Sequence, residues 1–196
     1  MAAPAERLVV VGGSSGGVDA LRVLLGALRP DFGWPIIVVL HVADSDISGL
    51  VSLLGSSSVR RVVEAQHGQP LSAAVHLAPG NYHLLVEPDW TLALSVDARV
   101  AHARPSIDVL FASAADSVGA RAIGVILSGA NDDGARGLAQ IVKAGGLALV
   151  QDPAEAEVAI MPAAAQKLGG TVALPLQALA ARLNAEYGAP WQTQKN

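Results

Sequence analysis

The chain contains no cysteine. Disulfides, thiolate metal sites and cysteine nucleophiles are thereby excluded, and the absence fits a cytoplasmic protein. Charge is sparse as well: Asp, Glu, Lys and Arg make up 15% of the 196 residues, and the formal net charge is −4. A nucleic-acid footprint needs a basic face, and this balance argues against one. No acidic tail or membrane-binding basic patch stands out. Long apolar runs are missing. No segment approaches the roughly 20 apolar residues of a membrane span. The opening "MAAPAERLVVVGG" lacks the positive start and longer apolar core of a signal peptide. There is no internal repeat, low-complexity segment or clear linker. What remains is a chain that is 52% hydrophobic, a composition of globular rather than disordered proteins. Its length suits one domain with a sizeable core. The expectation is a soluble, single-domain protein with no direct membrane insertion.

Strands and helices alternate along the chain. "RLVVV", residues 7–11, is a β-branched run that reads as a buried strand. "GGSSGG" follows, and then Val18, Leu21, Leu24, Leu25 and Leu28 recur at helical spacing, with Pro30 just beyond. "PIIVVLHV", 35–42, suits a parallel strand covered on both faces, and residues 45–57 suit a short serine-rich helix. Residues 75–97, "VHLAPGNYHLLVEPDWTLALSVD", show short β-prone runs broken by turn signals; they predict one or two antiparallel hairpins at a sheet edge. Residues 104–119 predict a helix with Ser106 as N-cap and Gly119 as its stop. "AIGVILSG" (122–129), "LALVQ" (147–151) and "TVALP" (171–175) read as strands. Helices are expected after 134, over 160–168 and over 176–187, and residues 188–196 as a loose tail. The fold class is α/β: a mostly parallel, doubly wound sheet with helices on both faces and an antiparallel hairpin excursion.

In such sheets ligands bind at the carboxyl ends of the strands. Ser14 and Ser15 follow the first strand, His41 ends the second, and Asn131, Asp132 and Asp133 follow the third long one. A serine, a histidine and an aspartate on one sheet edge are the inventory of a catalytic triad. Each has a plainer reading: the serines and the aspartates as helix N-caps, His41 as an ordinary histidine. The opening loop also suggests a phosphate cradle. Yet G-x-G-x-x-G fails, because Ser14 or Ser15 takes the second glycine position, and His41 stands where a ribose-binding acid would, with Asp44 beyond it. No Walker lysine follows. Gly12 to Gly16 instead matches G-x-S-x-G, a strand-to-helix elbow that exposes a serine. The order Ser, His, Asp differs from the Ser, Asp, His order of α/β-hydrolases.

"VGGSSGGVDAL", "VLHV", "LAPGNYH", "RPSIDVLF" and "GVILSGANDDGARGL", in this order and spacing, resemble the catalytic domain of the chemotaxis receptor methylesterase family, CheB. The resemblance runs from about Arg7 to about residue 185. It implies hydrolysis of glutamate methyl esters on the cytoplasmic part of chemoreceptors and deamidation of certain receptor glutamines, without metal or cofactor. By position it implies Ser14 as nucleophile, His41 as base and Asp133, not Asp132, as the orienting acid. Backbone N–H groups of Ser15 and Ala130 are the implied oxyanion donors. In "GANDDG", Ala130 replaces the family's usual methionine and Asn131 a glycine. The family's usual enzyme also carries an N-terminal receiver domain. This chain starts a few residues before the first catalytic strand, so the expectation over 1–196 is one catalytic domain without a receiver. Two other classes stand beside the esterase: a nucleotide-binding α/β protein, and a module of the same fold that binds receptors without turnover.

Overall fold

The computed structural model describes residues 7–42, 46–169 and 171–188. In chain order its elements are β1 (Leu8–Gly13), α1 (Gly17–Gly26), β2 (Ile36–Leu40), α2 (Ser48–Ser56), β3 (Val62–Glu64), β4 (Val75–Leu77), β5 (His83–Val86) and β6 (Leu92–Ser95). They continue with α3 (Ile107–Val118), β7 (Ala122–Ile126), α4 (Ala135–Lys143), β8 (Leu147–Gln151), α5 (Ile160–Gly169), β9 (Ala173–Leu174) and α6 (Leu176–Gly188). Seven strands form one sheet in the order β3-β4-β2-β1-β7-β8-β9, and every pairing within it is parallel.

The β-branched runs are continuous because the sheet is covered on both faces. Successive residues of β1 and β2 alternate between two cores. Val9, Val11, Ile36, Val38 and Leu40 face a core completed by α1, α2 and α6. Leu8, Val10, Ile37 and Val39 face the other, completed by α3, α4, α5 and the β5–β6 ribbon. Among the described residues no helix is long and apolar enough to cross a membrane.

The expected hairpin region is corrected in one respect. Val75–Leu77 is not part of a hairpin; it pairs in parallel with β2 and β3 inside the main sheet. Among the described strands only β5 and β6 pair antiparallel, and they form a separate two-stranded sheet rather than an edge of the large one. That ribbon lies on α3: Val86 N donates to Ser113 Oγ (3.0 Å) and Ser117 Oγ donates to Val86 O (2.8 Å). The edge strand on the β4 side is β3, three residues long, which nothing in the sequence pattern marked; β9 forms the other edge. Asp44 and residues 189–196 of the expected tail lie outside the described residues.

The winding direction reverses at β1. The chain first builds outward through β2 and then returns to add β7 on the other side of β1. The helices that follow β1 and β7, α1 and α4, therefore lie on opposite faces, and in open α/β sheets such a reversal point is where ligands bind. The start of α3 closes onto β1 from above. An added Cβ at Gly12 would run into Ile107 Cγ2. Gly12→Ala is expected to destabilise the protein by about 1–3 kcal/mol through overpacking, read as a lower urea midpoint with an unchanged m-value.

Candidate active site

Parallel register sets the level of the first two candidates. Gly13 of β1 pairs with Leu40 of β2, so Ser14 and His41 each stand one residue past a paired position. The ladder continues there: His41 N donates to Gly13 O (3.1 Å), and Ser14 N donates to Ser128 O (2.9 Å) at the end of the β7 connection. Ser14 is half-buried and Ser15 is exposed. Gly17 N donates to Ser14 O (2.7 Å), which closes the elbow. Gly16 takes the left-handed region, φ 74°, and a Cβ there would lie 2.7 Å from Ser128 Oγ; glycine meets both demands. Ser128 Oγ in turn donates to Ser15 O (2.7 Å). The turn is thus stapled to the β7 loop from two sides.

The helix-capping readings of these residues do not hold. The N-cap of α1 is Gly16, with no side-chain cap bond, so neither serine caps that helix. The N-cap of α4 is Gly134, again without a side-chain cap, so Asp133 does not cap its own helix. Its carboxylate reaches across to α3. Asp133 Oδ1 accepts from Ser106 Oγ (2.9 Å) and Asp108 N (2.9 Å). Oδ2 accepts from Ile107 N (2.8 Å) and from His41 Nε2 (2.9 Å). Asp133 is 2% exposed. Burial pushes its carboxyl up, but the hydrogen bonds from His41, the Asp108 and Ile107 amides and Ser106 outweigh that, and the net shift is downward. The acid is therefore held as a carboxylate.

An ionised carboxylate only accepts hydrogen bonds, so His41 Nε2 carries the proton and Nδ1 carries the lone pair. Nδ1 faces Asn131 Nδ2 at 3.4 Å, and Asn131 Oδ1 accepts from Asp133 N (3.1 Å). The nitrogen that carries the lone pair is thus Nδ1, which accepts from Asn131 Nδ2; this is the reverse of the serine-protease template, where Nδ1 faces the acid. The structure joins His41 and Asp133 directly. Ser14 lies beside them by register, and among the described residues its hydroxyl has no hydrogen-bond partner. Asp132 is exposed and accepts from Ala135 N through its carbonyl (3.2 Å). Ala130 is exposed in the same loop. Neither the Ser15 nor the Ala130 amide donates to an acceptor among the described residues, and both residues are exposed.

Three residues of this site escaped the sequence reading. Ser106 was legible only as an N-cap, yet its Oγ also holds Asp133. His83 is buried; its Nδ1 accepts from Ser106 N (3.2 Å) and its Nε2 donates to Ala98 O (3.0 Å). Asp108 carries no local signal beyond being an acid in the first turn of α3. Among the described residues no cluster of three or more His, Cys, Asp or Glu side chains could hold a metal ion.

Comparison with known proteins follows the same outline. The profile of the CheB methylesterase family matches residues 9–183. A protein of Leptospira interrogans is 44% identical over 158 residues, covering 80% of this chain and 82% of that one. The protein-glutamate methylesterase/protein-glutamine glutaminase 2 of Oleidesulfovibrio alaskensis is 41% identical over 183 residues, covering 91% of this chain and 51% of its own length. Protein-glutamate methylesterase FrzG of Myxococcus xanthus is 38% identical over 182 residues, 92% of this chain and 54% of that protein. This chain thus spans about half the length of the latter two. The crystal structure of the Thermotoga maritima CheB methylesterase catalytic domain superposes with a TM-score of 0.88 at 28% identity, covering 93% of this chain and 99% of that one.

Proposed function

The chain belongs to the CheB methylesterase family, and we propose that it hydrolyses glutamate methyl esters on the cytoplasmic part of chemoreceptors, with Ser14 as nucleophile, His41 as base and Asp133 as the acid that orients His41. The observation that carries the residue assignment is the His41–Asp133 hydrogen bond of 2.9 Å at the strand ends where Ser14 leaves β1.

In this reading the steps are as follows. Ser14 Oγ attacks the ester carbonyl carbon while His41 Nδ1 takes its proton. Asp133 fixes the tautomer and stabilises the imidazolium. The carbonyl oxygen becomes an oxyanion, and the Ser15 and Ala130 amides donate to it; one such donor is worth about 3–4 kcal/mol in the transition state. The tetrahedral intermediate collapses, the C–O bond to methoxide breaks, and Nδ1–H returns the proton so that methanol leaves. Water, deprotonated by Nδ1, then attacks the acyl-enzyme and releases the glutamate carboxylate and Ser14. A receptor glutamine would follow the same course with ammonia as the leaving group, the glutaminase activity in the names of the relatives. Residues 1–196 act in this reading as one catalytic domain.

The test is methanol release from a receptor fragment methylated on its glutamates. Stoichiometric methanol with loss of the methyl ester is the expected result. No methanol from folded protein would overturn the esterase reading and favour a receptor-binding module.

A further inference from the structure

We propose that Asp108 is a positioning residue for this reaction: it fixes the backbone from which the Asp133 side chain springs, and so sets the place of the acid against His41. The proposal rests on the esterase reading of the site.

Asp108 stands in the first turn of α3 and points away from that helix. Its Oδ1 accepts from Gly134 N (2.9 Å) and from Gly137 N (2.8 Å). These are the N-cap and third residues of α4, a helix with no side-chain cap of its own. Asp133 does the converse for α3, taking Ile107 N and Asp108 N. Each helix N-terminus is thus capped by the aspartate of the other. Unpaired N-terminal amides attract a carboxylate, and here two helices exchange one. Gly134 N belongs to the same peptide plane as the Asp133 carbonyl. Holding that N–H therefore holds the Asp133 backbone.

The surroundings are built for this exchange. A Cβ at Gly137 would lie 2.6 Å from Phe111 Cβ and 2.9 Å from Asp108 O, so glycine lets α4 come down onto α3. Gly134 takes φ 95°, and a Cβ there would lie 2.5 Å from Ile107 Cγ2. Burial raises the Asp108 pKa, the Gly137 amide opposes that shift, and the Asp133 charge raises it further. Asp133 is buried and Asp108 half-buried; each carboxylate takes two backbone amides, and the net Asp108 shift stays upward.

Both bonds made by Asp108 go to one oxygen, which gives a sharp test. Asp108→Asn keeps that oxygen, and Asp108→Ala removes it. For Asp108→Ala we expect kcat for methanol release to fall about 10²-fold, the scale of a roughly 1 Å misplacement of a catalytic group, with KM within about twofold. Asp108→Asn should restore most of kcat. Proton NMR gives a readout independent of turnover: the downfield His41 Nε2–H resonance should shift or broaden in Asp108→Ala and persist in Asp108→Asn. Should Asp108→Ala not fold, Asp108→Ser carries the test, since its shorter side chain cannot span both amides. An Asp108→Ala enzyme with wild-type kcat and an unmoved resonance would overturn the proposal. So would an Asp108→Asn enzyme as impaired as Asp108→Ala. Failure of the wild type to release methanol would instead sink the esterase reading, while the resonance would still report on the positioning.

Discussion

Ser14→Ala is expected to lower ester turnover by about 10⁴- to 10⁶-fold, the loss seen when the nucleophile of a serine triad is removed. Little else should change. The Ser14 hydroxyl has no hydrogen-bond partner among the described residues, while the backbone bonds of residue 14 to Ser128 and Gly17 do not involve the side chain. Alanine preserves those bonds, so thermal stability should stay within about 0.5 kcal/mol. Ser15→Ala is the matching comparison. Ser15 holds the turn through its carbonyl, which accepts from Ser128 Oγ, and in the proposed mechanism it serves through its amide. Both survive the substitution, so turnover by Ser15→Ala should remain near wild type. Kinetics of methanol release, run beside thermal melts, separate these outcomes. Wild-type turnover by folded Ser14→Ala would exclude Ser14 as nucleophile.

Asp133→Asn is expected to damage both catalysis and stability. One oxygen of Asp133 faces the Ile107 amide and His41, the other the Ser106 hydroxyl and the Asp108 amide. An asparagine has a single acceptor oxygen. Whichever way its amide is turned, its NH₂ meets a backbone N–H. At least one buried donor is left unpaired, at a cost of about 1–3 kcal/mol. If the NH₂ faces His41, Nε2 must become an acceptor and Nδ1 a donor. The base then has no lone pair for the Ser14 proton, a tautomer error that costs about 10⁴ in kcat in such triads. The pH dependence has a definite sign. The folded-state pKa of Asp133 is depressed below the ordinary carboxylate value. Its stabilising contribution is therefore fully present above that value and is lost as pH falls through the lower folded value. Melting temperatures taken from pH 7 down into the acid range should fall less steeply for Asp133→Asn than for wild type. Equal slopes would show that the carboxylate charge contributes nothing to the fold.

The proposed site was legible in outline because its members sit at the ends of long, fully buried strands. Such strands announce themselves as continuous apolar runs, and the polar residue after each run marks the sheet edge. Ser106 was legible as an N-cap for the same local reason, an oxygen three residues before an orphan amide. What the sequence hid depends on tertiary contact. Strands β3 and β4 are three residues each, too short to show a period, and β4 joins the main sheet through neighbours remote in sequence. The exchange of caps between α3 and α4 links residues 26 and 29 positions apart. No local pattern distinguishes Asp108, which holds the other helix, from an ordinary first-turn acid. Which ring nitrogen of His41 meets Asp133 was equally hidden, since it follows from how the ring enters the site, and that sets which nitrogen can take the Ser14 proton.

The central claim is that Ser14 is a nucleophile activated by His41. The direct measurement is reaction with a fluorophosphonate followed by mass-spectrometric mapping of the modified peptide. The account predicts one phosphonyl adduct, on Ser14, formed at a rate that collapses in His41→Ala. An adduct on Ser15, or undiminished labelling of Ser14→Ala, would contradict it.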